Sequence, residues 1–204
     1  MKKIMFNDRY GLTDAVIEGR KTMTRRLIPD EFFGLTWDTR GNTLVYENEY
    51  GDFIDVRLSK YTRYKDGEIV SVAQNYFSTY DDSKWENGIW YNEFAGENDI
   101  TNHAGWIDKR FVKAEYMPHQ IRITGIHCER LQDISDAKCL KEGVRVEFAR
   151  NGSPMYYYFD AKRWREVWFD TPREAFAALI DKVSGRGTWA SNPWVVVYEF
   201  ELVK

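Results

Sequence analysis

Gly19-Arg-Lys-Thr-Met-Thr-Arg-Arg26 is the densest basic run of this 204-residue chain. Just before it, Leu12, Ala15 and Val16 recur at i, i+3, i+4 spacing, which predicts a short helix. Gly19 can supply the left-handed residue that stops that helix, and Pro29 closes the segment. Lys21 and Thr24 are an odd step apart, so a plain extended strand would set them on opposite faces. They converge only where the chain turns or bulges. A lysine beside a hydroxyl can serve as its base when burial or neighbouring positive charge lowers the lysine pKa. Arg20, Arg25 and Arg26 supply such charge and could hold a phosphate or carbonyl group. The plainer reading of the run is a solvated basic strand.

Outward from this run, strand signals dominate. Residues 30–66 read as a β-hairpin insertion, with β-prone stretches Asn42–Glu47 and Phe53–Leu58 around a turn at Asn48–Gly51. Asp66-Gly67 is a turn ahead of a short strand, Ile69–Ala73. From Tyr76 to Phe111 the chain is rich in Asp, Asn, Gly and Trp without a period, which predicts a long loop or lid. His119–Arg130 reads as a strand bulged at Gly125. Ser135 caps a short helix, Asp136–Glu142, that Gly143 stops. Residues 145–170 form another aromatic, charged insertion. Thr171-Pro-Arg-Glu174 is a capping box with proline at the first helical position. The helix behind it sets Phe176, Leu179, Ile180 and Val183 on one face, and Gly185 ends it. In the last strand, Trp194–Val203, residues Trp194, Val196, Tyr198, Phe200 and Leu202 alternate with Glu199 and Glu201. Several strands, three modest helices and no βαβ rhythm predict a small α+β domain or a β-barrel decorated by helices.

Composition narrows the partners. The net charge is −3 and the sequence pI about 5.7. A protein that coats long nucleic acid is strongly basic, so a nucleic-acid role here must rest on a local basic patch or a small nucleoside ligand. Aromatic residues reach 16%, which points to a β-rich core or a stacking surface. The densest apolar stretch, Trp194–Tyr198, falls far short of the roughly 20 residues a membrane span needs, and the N-terminal residues lack the apolar region of a signal peptide. Cys128 and Cys139 are the only cysteines, and a reducing cytoplasm is the expected setting.

Beyond the basic run, Glu142 closes its short helix, where the negative end of the helix dipole would raise a carboxyl pKa. The alternative is an exposed glutamate before a glycine cap. The three histidines, His103, His119 and His127, lack zinc-ligand spacing, so no metal is expected. Ser184-Gly-Arg-Gly187 follows a helix instead of opening one and is not a phosphate loop. Trp85, Trp90, Tyr91 and Trp106 could stack on bases, although packing of a lid is the blander reading.

Gly19–Arg26 resembles the signature of ASCH domains, which share the PUA-like β-barrel. Three further segments fit the same family in the same order. These are Gly67-Glu-Ile-Val-Ser-Val72, the strand-to-helix stretch Ile121–Ile134 with Glu129-Arg-Leu-Gln-Asp-Ile134, and Trp189-Ala-Ser-Asn-Pro-Trp194 running into the last strand, as in phage and prophage members. The resemblance implies one ASCH, PUA-like α+β domain over 1–204. Its core would be about 1–28, 66–76, 119–144 and 171–204, with peripheral helices and large loop or hairpin insertions at 29–65, 77–118 and 145–170. It implies binding of RNA or a modified nucleoside, without a cofactor. Some small bacterial members are amidohydrolases that deacetylate N4-acetylcytidine. Matching their motif carries the catalytic set onto Lys21, Thr24 and Glu142, with Arg20, Arg25, Arg26, Trp189 and Asn192 as substrate-binding candidates. The chain departs from the family at Ala73-Gln74, where many relatives have Arg-Glu, and it is longer than the minimal deacetylases.

Three functions therefore stand as expectations. The first is a module that binds RNA or a modified nucleoside. The second is a metal-independent amidohydrolase in which Thr24 attacks, Lys21 takes its proton and Glu142 orients Lys21. The third is a phage or prophage accessory protein whose insertions bind a protein partner.

Overall fold

The computed structural model describes residues 1–28, 35–38, 43–59, 62–79 and 104–203. Pro29, Asn42, Trp85, Trp90, Tyr91 and His103 lie outside the described residues. In chain order the elements are strand β1 (Lys3–Ile4), helix α1 (Leu12–Ile17), strands β2 (Met23–Leu27), β3 (Thr36–Asp38), β4 (Thr43–Glu47), β5 (Phe53–Asp55) and β6 (Ile69–Val72), and helix α2 (Tyr76–Thr79). There follow strand β7 (Gln120–Arg130), helix α3 (Asp136–Lys141), strands β8 (Arg145–Phe148), β9 (Pro154–Asp160) and β10 (Arg165–Phe169), helices α4 (Pro172–Ser184) and α5 (Thr188–Ser191), and strand β11 (Trp194–Leu202). The fold is thus mixed α+β, and among the described residues no closed barrel is formed.

The chain forms two compact units. The smaller comprises residues 1–6, 69–121 and 203–204. In it β1 runs parallel to β6, with Lys3 opposite Ser71 and Ile4 opposite Val72. Lys3 Nζ donates to the carbonyls of Lys109, Arg110 and Val112 at 3.1, 2.7 and 2.7 Å, which pins the 3-10 turn Lys109–Phe111. Ala73, Tyr76, Val112 and Met117 form its buried cluster. Ala73 is thus a core residue, and Gln74 Oε1 accepts from His119 Nδ1 at 2.7 Å.

The larger unit, residues 7–68 and 122–202, holds the basic run. Here β11 lies between β2 and the part of β7 from Arg122 onward. It is antiparallel to β2, with Val197 opposite Arg25 and Tyr198 opposite Thr24. Val195 and Val197 are as buried as Val196, Tyr198 and Phe200. The expected in-out alternation therefore holds only over Glu199–Glu201, Leu202 being exposed, while Val195–Tyr198 are covered on both faces. In β7, one continuous strand, Ile121, Ile123 and Cys128 are buried.

Helix α4 begins with the complete capping box, Thr171 and Glu174 each bonding the other's backbone N–H. It buries Ala175, Phe176, Leu179 and Ile180, while Val183 in its last turn is exposed. The 30–66 segment carries the expected hairpin as β4–β5, with β3 added on the β4 edge. Residues 145–170 form an antiparallel sheet of β8, β9 and β10. Its inner residue Tyr158 meets the edge of Tyr10, at 5.8 Å between centroids.

Candidate functional site

The turn between α1 and β2 sets up the site. Gly19 takes a positive φ of 72° and the Gly19 N–H bonds Val16 O, ending α1. The chain then folds back, and Lys21 N donates to Ala15 O at 2.7 Å. Thr22 N donates to Lys141 O at 3.0 Å, so this segment docks on the C-terminal end of α3. Lys21 precedes β2 and is not part of the strand. Its ammonium donates to Glu142 O at 2.7 Å and to Glu142 Oε2 at 2.6 Å. One cation thus serves a carbonyl that the helix leaves without a partner and a carboxylate at the same helix end.

Gly143 makes the close approach possible. Its φ is +105°, and a Cβ there would sit 2.9 Å from Leu12 Cδ2 and 3.6 Å from Lys21 Cδ. Any larger residue would be strained at this φ and would displace the end of the Leu12 side chain.

Glu142 is a fully engaged base of a larger network. Its second oxygen, Oε1, accepts from Arg25 Nη1 at 2.8 Å. Arg25 also donates through Nε and Nη2 to Glu129 Oε1, at 3.0 and 2.6 Å. Glu129 Oε2 lies 3.3 Å from His127 Nε2 and 3.5 Å from Lys138 Nζ. Charges therefore alternate from Lys21 through Glu142, Arg25 and Glu129 to the half-buried Lys138, with the His127 ring also against Glu129. Lys21 is 2% exposed and Glu142 5%. A buried ion is tolerated only when paired and hydrogen-bonded in this way.

The network perturbs its members. Burial pushes the Lys21 ammonium below its ordinary range; Glu142 opposes this, and Arg26 and Arg25 add to it. Burial also pushes Arg26 down. For Glu129, burial acts upward, but His127, Arg25 and Lys138 outweigh it and hold the carboxyl at about 2. Burial raises the Cys128 and Cys139 thiols to about 12, so both are inert as nucleophiles at neutral pH.

Of the three residues assigned a catalytic part, two are in contact: Lys21 and Glu142. Thr24 lies on β2 opposite Tyr198 and is 5% exposed. Its hydroxyl makes no hydrogen bond among the described residues, and it is not one of the polar atoms sealed from solvent without a partner. By alternation it takes the strand face of Arg26, away from Met23 and Arg25. On that side Tyr198 Oη accepts from Arg63 N at 3.0 Å and stands edge-on to Tyr64 at 5.2 Å. Burial raises both phenols.

The other candidates are placed as follows. Arg25 belongs to the network. Arg20 Nε donates to Glu18 Oε2 at 2.7 Å at the surface. Asn192, at φ 45°, accepts from Gln132 N through Oδ1 at 2.8 Å. Trp189 packs between the edge of Phe176 and the Arg173 guanidinium, 5.1 Å from its ring. Both serve the junction of α5 with the segment after β7, and neither bonds to Lys21, Thr24 or Glu142. Among the described residues no group of three His, Cys, Asp or Glu side chains is arranged to hold a metal, and no helix is long and apolar enough to cross a membrane.

Sequence reasoning passed over Glu129, Tyr64 and Tyr198. The signal for Glu129 was present: a run of four cations of which two become buried needs carboxylates from elsewhere. A comparison of the chain with protein-family models, with curated proteins and with solved structures finds no match in any of the three.

Proposed function

We propose that this protein binds RNA or a modified nucleoside through an ASCH-type, PUA-like domain, at a site formed around Lys21, Thr24 and Glu142. The observation that supports this reading is the buried charge network itself. A lysine, an arginine and two glutamates are almost shut off from solvent, while the hydroxyl of Thr24, three residues from Lys21, makes no hydrogen bond among the described residues. Burying ions is costly, and strongly perturbed ionisable groups concentrate at functional sites. The hydroxyl and the basic groups of the run would meet the polar edge of a base, and Tyr64 and Tyr198 lie on the Thr24 side of the strand.

A second reading is favoured by one specific feature, the lowered pKa of Lys21 in contact with Glu142. In an amidohydrolase of N4-acetylcytidine, Lys21 would first yield a proton to Glu142, and Thr24 Oγ would then bond to the acetyl carbon as its own proton passes to the Lys21 amine. The C–N bond would then break, with that proton returned to the exocyclic nitrogen. Water would cleave the resulting ester to acetate and restore Thr24. Glu142 would position Lys21.

One experiment addresses both readings. Titration calorimetry with cytidine and N4-acetylcytidine, followed by mass spectrometry of the same samples, reports binding and turnover together. Binding that disappears in Lys21→Met, a variant that leaves Glu142 paired with Arg25, is the expected result. Release of cytidine would promote the second reading. Failure of the wild-type protein to bind either nucleoside would overturn the site.

A further inference from the structure

A second surface of the larger unit has the chemistry of a nucleic-acid contact. The β9–β10 hairpin turns through Ala161-Lys-Arg-Trp164, with Arg165 paired opposite Asp160. Arg163 N bonds Asp160 O at 3.1 Å and Trp164 N bonds Ala161 O at 3.4 Å. The loop then reverses through Trp164 at φ 50°. That conformation suits glycine and costs a bulky residue about 1–2 kcal/mol. The tryptophan is nevertheless there, 82% exposed and held only along one side by the edge of Phe159, 5.4 Å away. Strain accepted for an exposed aromatic is an observation that asks for a function.

The tip is rigid and positive. Asp160 is its only acid between Phe159 and Arg165, and it is already neutralised. Its carboxylate accepts from Arg9 Nε and Nη2 at 2.9 and 3.0 Å and from Lys162 N at 3.2 Å, with Arg163 Nη1 at 3.4 Å. Ala161 N is fixed to Arg9 O at 2.8 Å. Lys162, Arg163 and Arg165 flank Trp164 in the chain and are exposed, and the next acid along the chain is Glu166. A fixed, exposed ring among cations matches an unpaired base and its phosphates; a protein partner would be matched by a broader apolar face without this charge.

We propose that the β9–β10 tip is a contact for single-stranded RNA, with Trp164 stacking on an unpaired base and Lys162, Arg163 and Arg165 on the adjoining phosphates. The inference rests on the reading of the chain as an RNA binder and gives that reading a second surface. The test is fluorescence anisotropy of a labelled oligouridylate of about 12 nucleotides, at two salt concentrations, with the full chain. Trp164→Gly removes the ring and relieves the backbone strain, so the variant keeps or gains thermal stability. Its RNA affinity should fall about 5- to 100-fold, the worth of one stacked base. Lys162→Ala with Arg163→Ala should flatten the salt dependence by about 0.7 per lost phosphate contact.

Unchanged affinity in Trp164→Gly would overturn the proposal, as would a wild-type protein that does not bind the oligonucleotide. A wild type that self-associates through the tip, becoming monomeric in Trp164→Gly without any RNA binding, would also overturn it in favour of a protein contact. Nucleoside binding at Lys21 is scored separately, so loss of the tip contact with nucleoside binding intact removes this inference and leaves the first site standing.

Discussion

Two ion clusters in the larger unit both set carboxylates against basic side chains, and they differ in burial. In the Lys21–Glu142–Arg25–Glu129 network, every side chain is at most 13% exposed. At the hairpin base, Asp160 is 3% exposed but its partners Arg9 and Arg163 are 37% and 54% exposed. Removing a carboxylate from the first strands cations that cannot reach water. Removing the carboxylate from the second lets both arginines swing into solvent. The difference lies in where the partners can go when the pair is broken, since the contact distances are similar.

The largest effect expected from this contrast is in Glu142→Ala. It removes the carboxylate that both Lys21 and Arg25 contact, and should cost about 3–5 kcal/mol, read by urea unfolding. Asp160→Asn should cost clearly less, and its cost should shrink further in high salt, where exposed partners are screened. Equal losses in the two variants, or a salt-sensitive loss in Glu142→Ala, would break the comparison.

Acid sharpens it. Glu129 is held at about 2, against roughly 4.3 for an unperturbed glutamate. A carboxyl whose folded pKa is depressed adds stability above its unfolded pKa. That stability is lost as pH falls through the folded value, because the unfolded chain takes up the proton first. Wild-type stability should therefore fall between about pH 4 and pH 2. Glu129→Gln should be less stable at neutral pH and show a shallower fall across that window. A parallel pair of pH curves would show that the Arg25–Glu129 contact carries no differential proton affinity.

The sequence was informative where a single local rule decided the outcome. The capping box at Thr171–Glu174, the cap at Ser135, the reversal at Gly19 and the β4–β5 hairpin all depend on residues within a few positions of one another. Helix α3 and the place of Glu142 at its end were legible for the same reason. What the sequence concealed depends on tertiary contact. Residues 145–170 read as an insertion because Tyr156–Phe159 and Arg165–Phe169 mix aromatics with charge, yet they form a sheet whose inner aromatics pack on Tyr10. Val195 and Val197 gave no hint of which way they faced, since a strand buried on both sides has no alternation to read. The plainer reading of the basic run as solvated is overturned by the burial of Lys21 and Arg25, which needs Glu129 and Glu142 from over a hundred residues away.

The smallest stability effect is the most informative. The Thr24 hydroxyl makes no hydrogen bond among the described residues, so replacing it with a methyl group breaks nothing in the folded chain. Thr24→Val should leave the unfolding midpoint within about 1 kcal/mol of wild type, because only a made bond costs energy to remove. The Lys21–Glu142–Arg25 geometry, read by crystallography or by the lysine NMR shift, should be unchanged. If the hydroxyl exists for a ligand, nucleoside binding or turnover falls sharply in the same variant. A Thr24→Val protein that is stable and binds as well as wild type would leave the buried network as scaffolding alone: a charged clasp between the basic run and the end of α3.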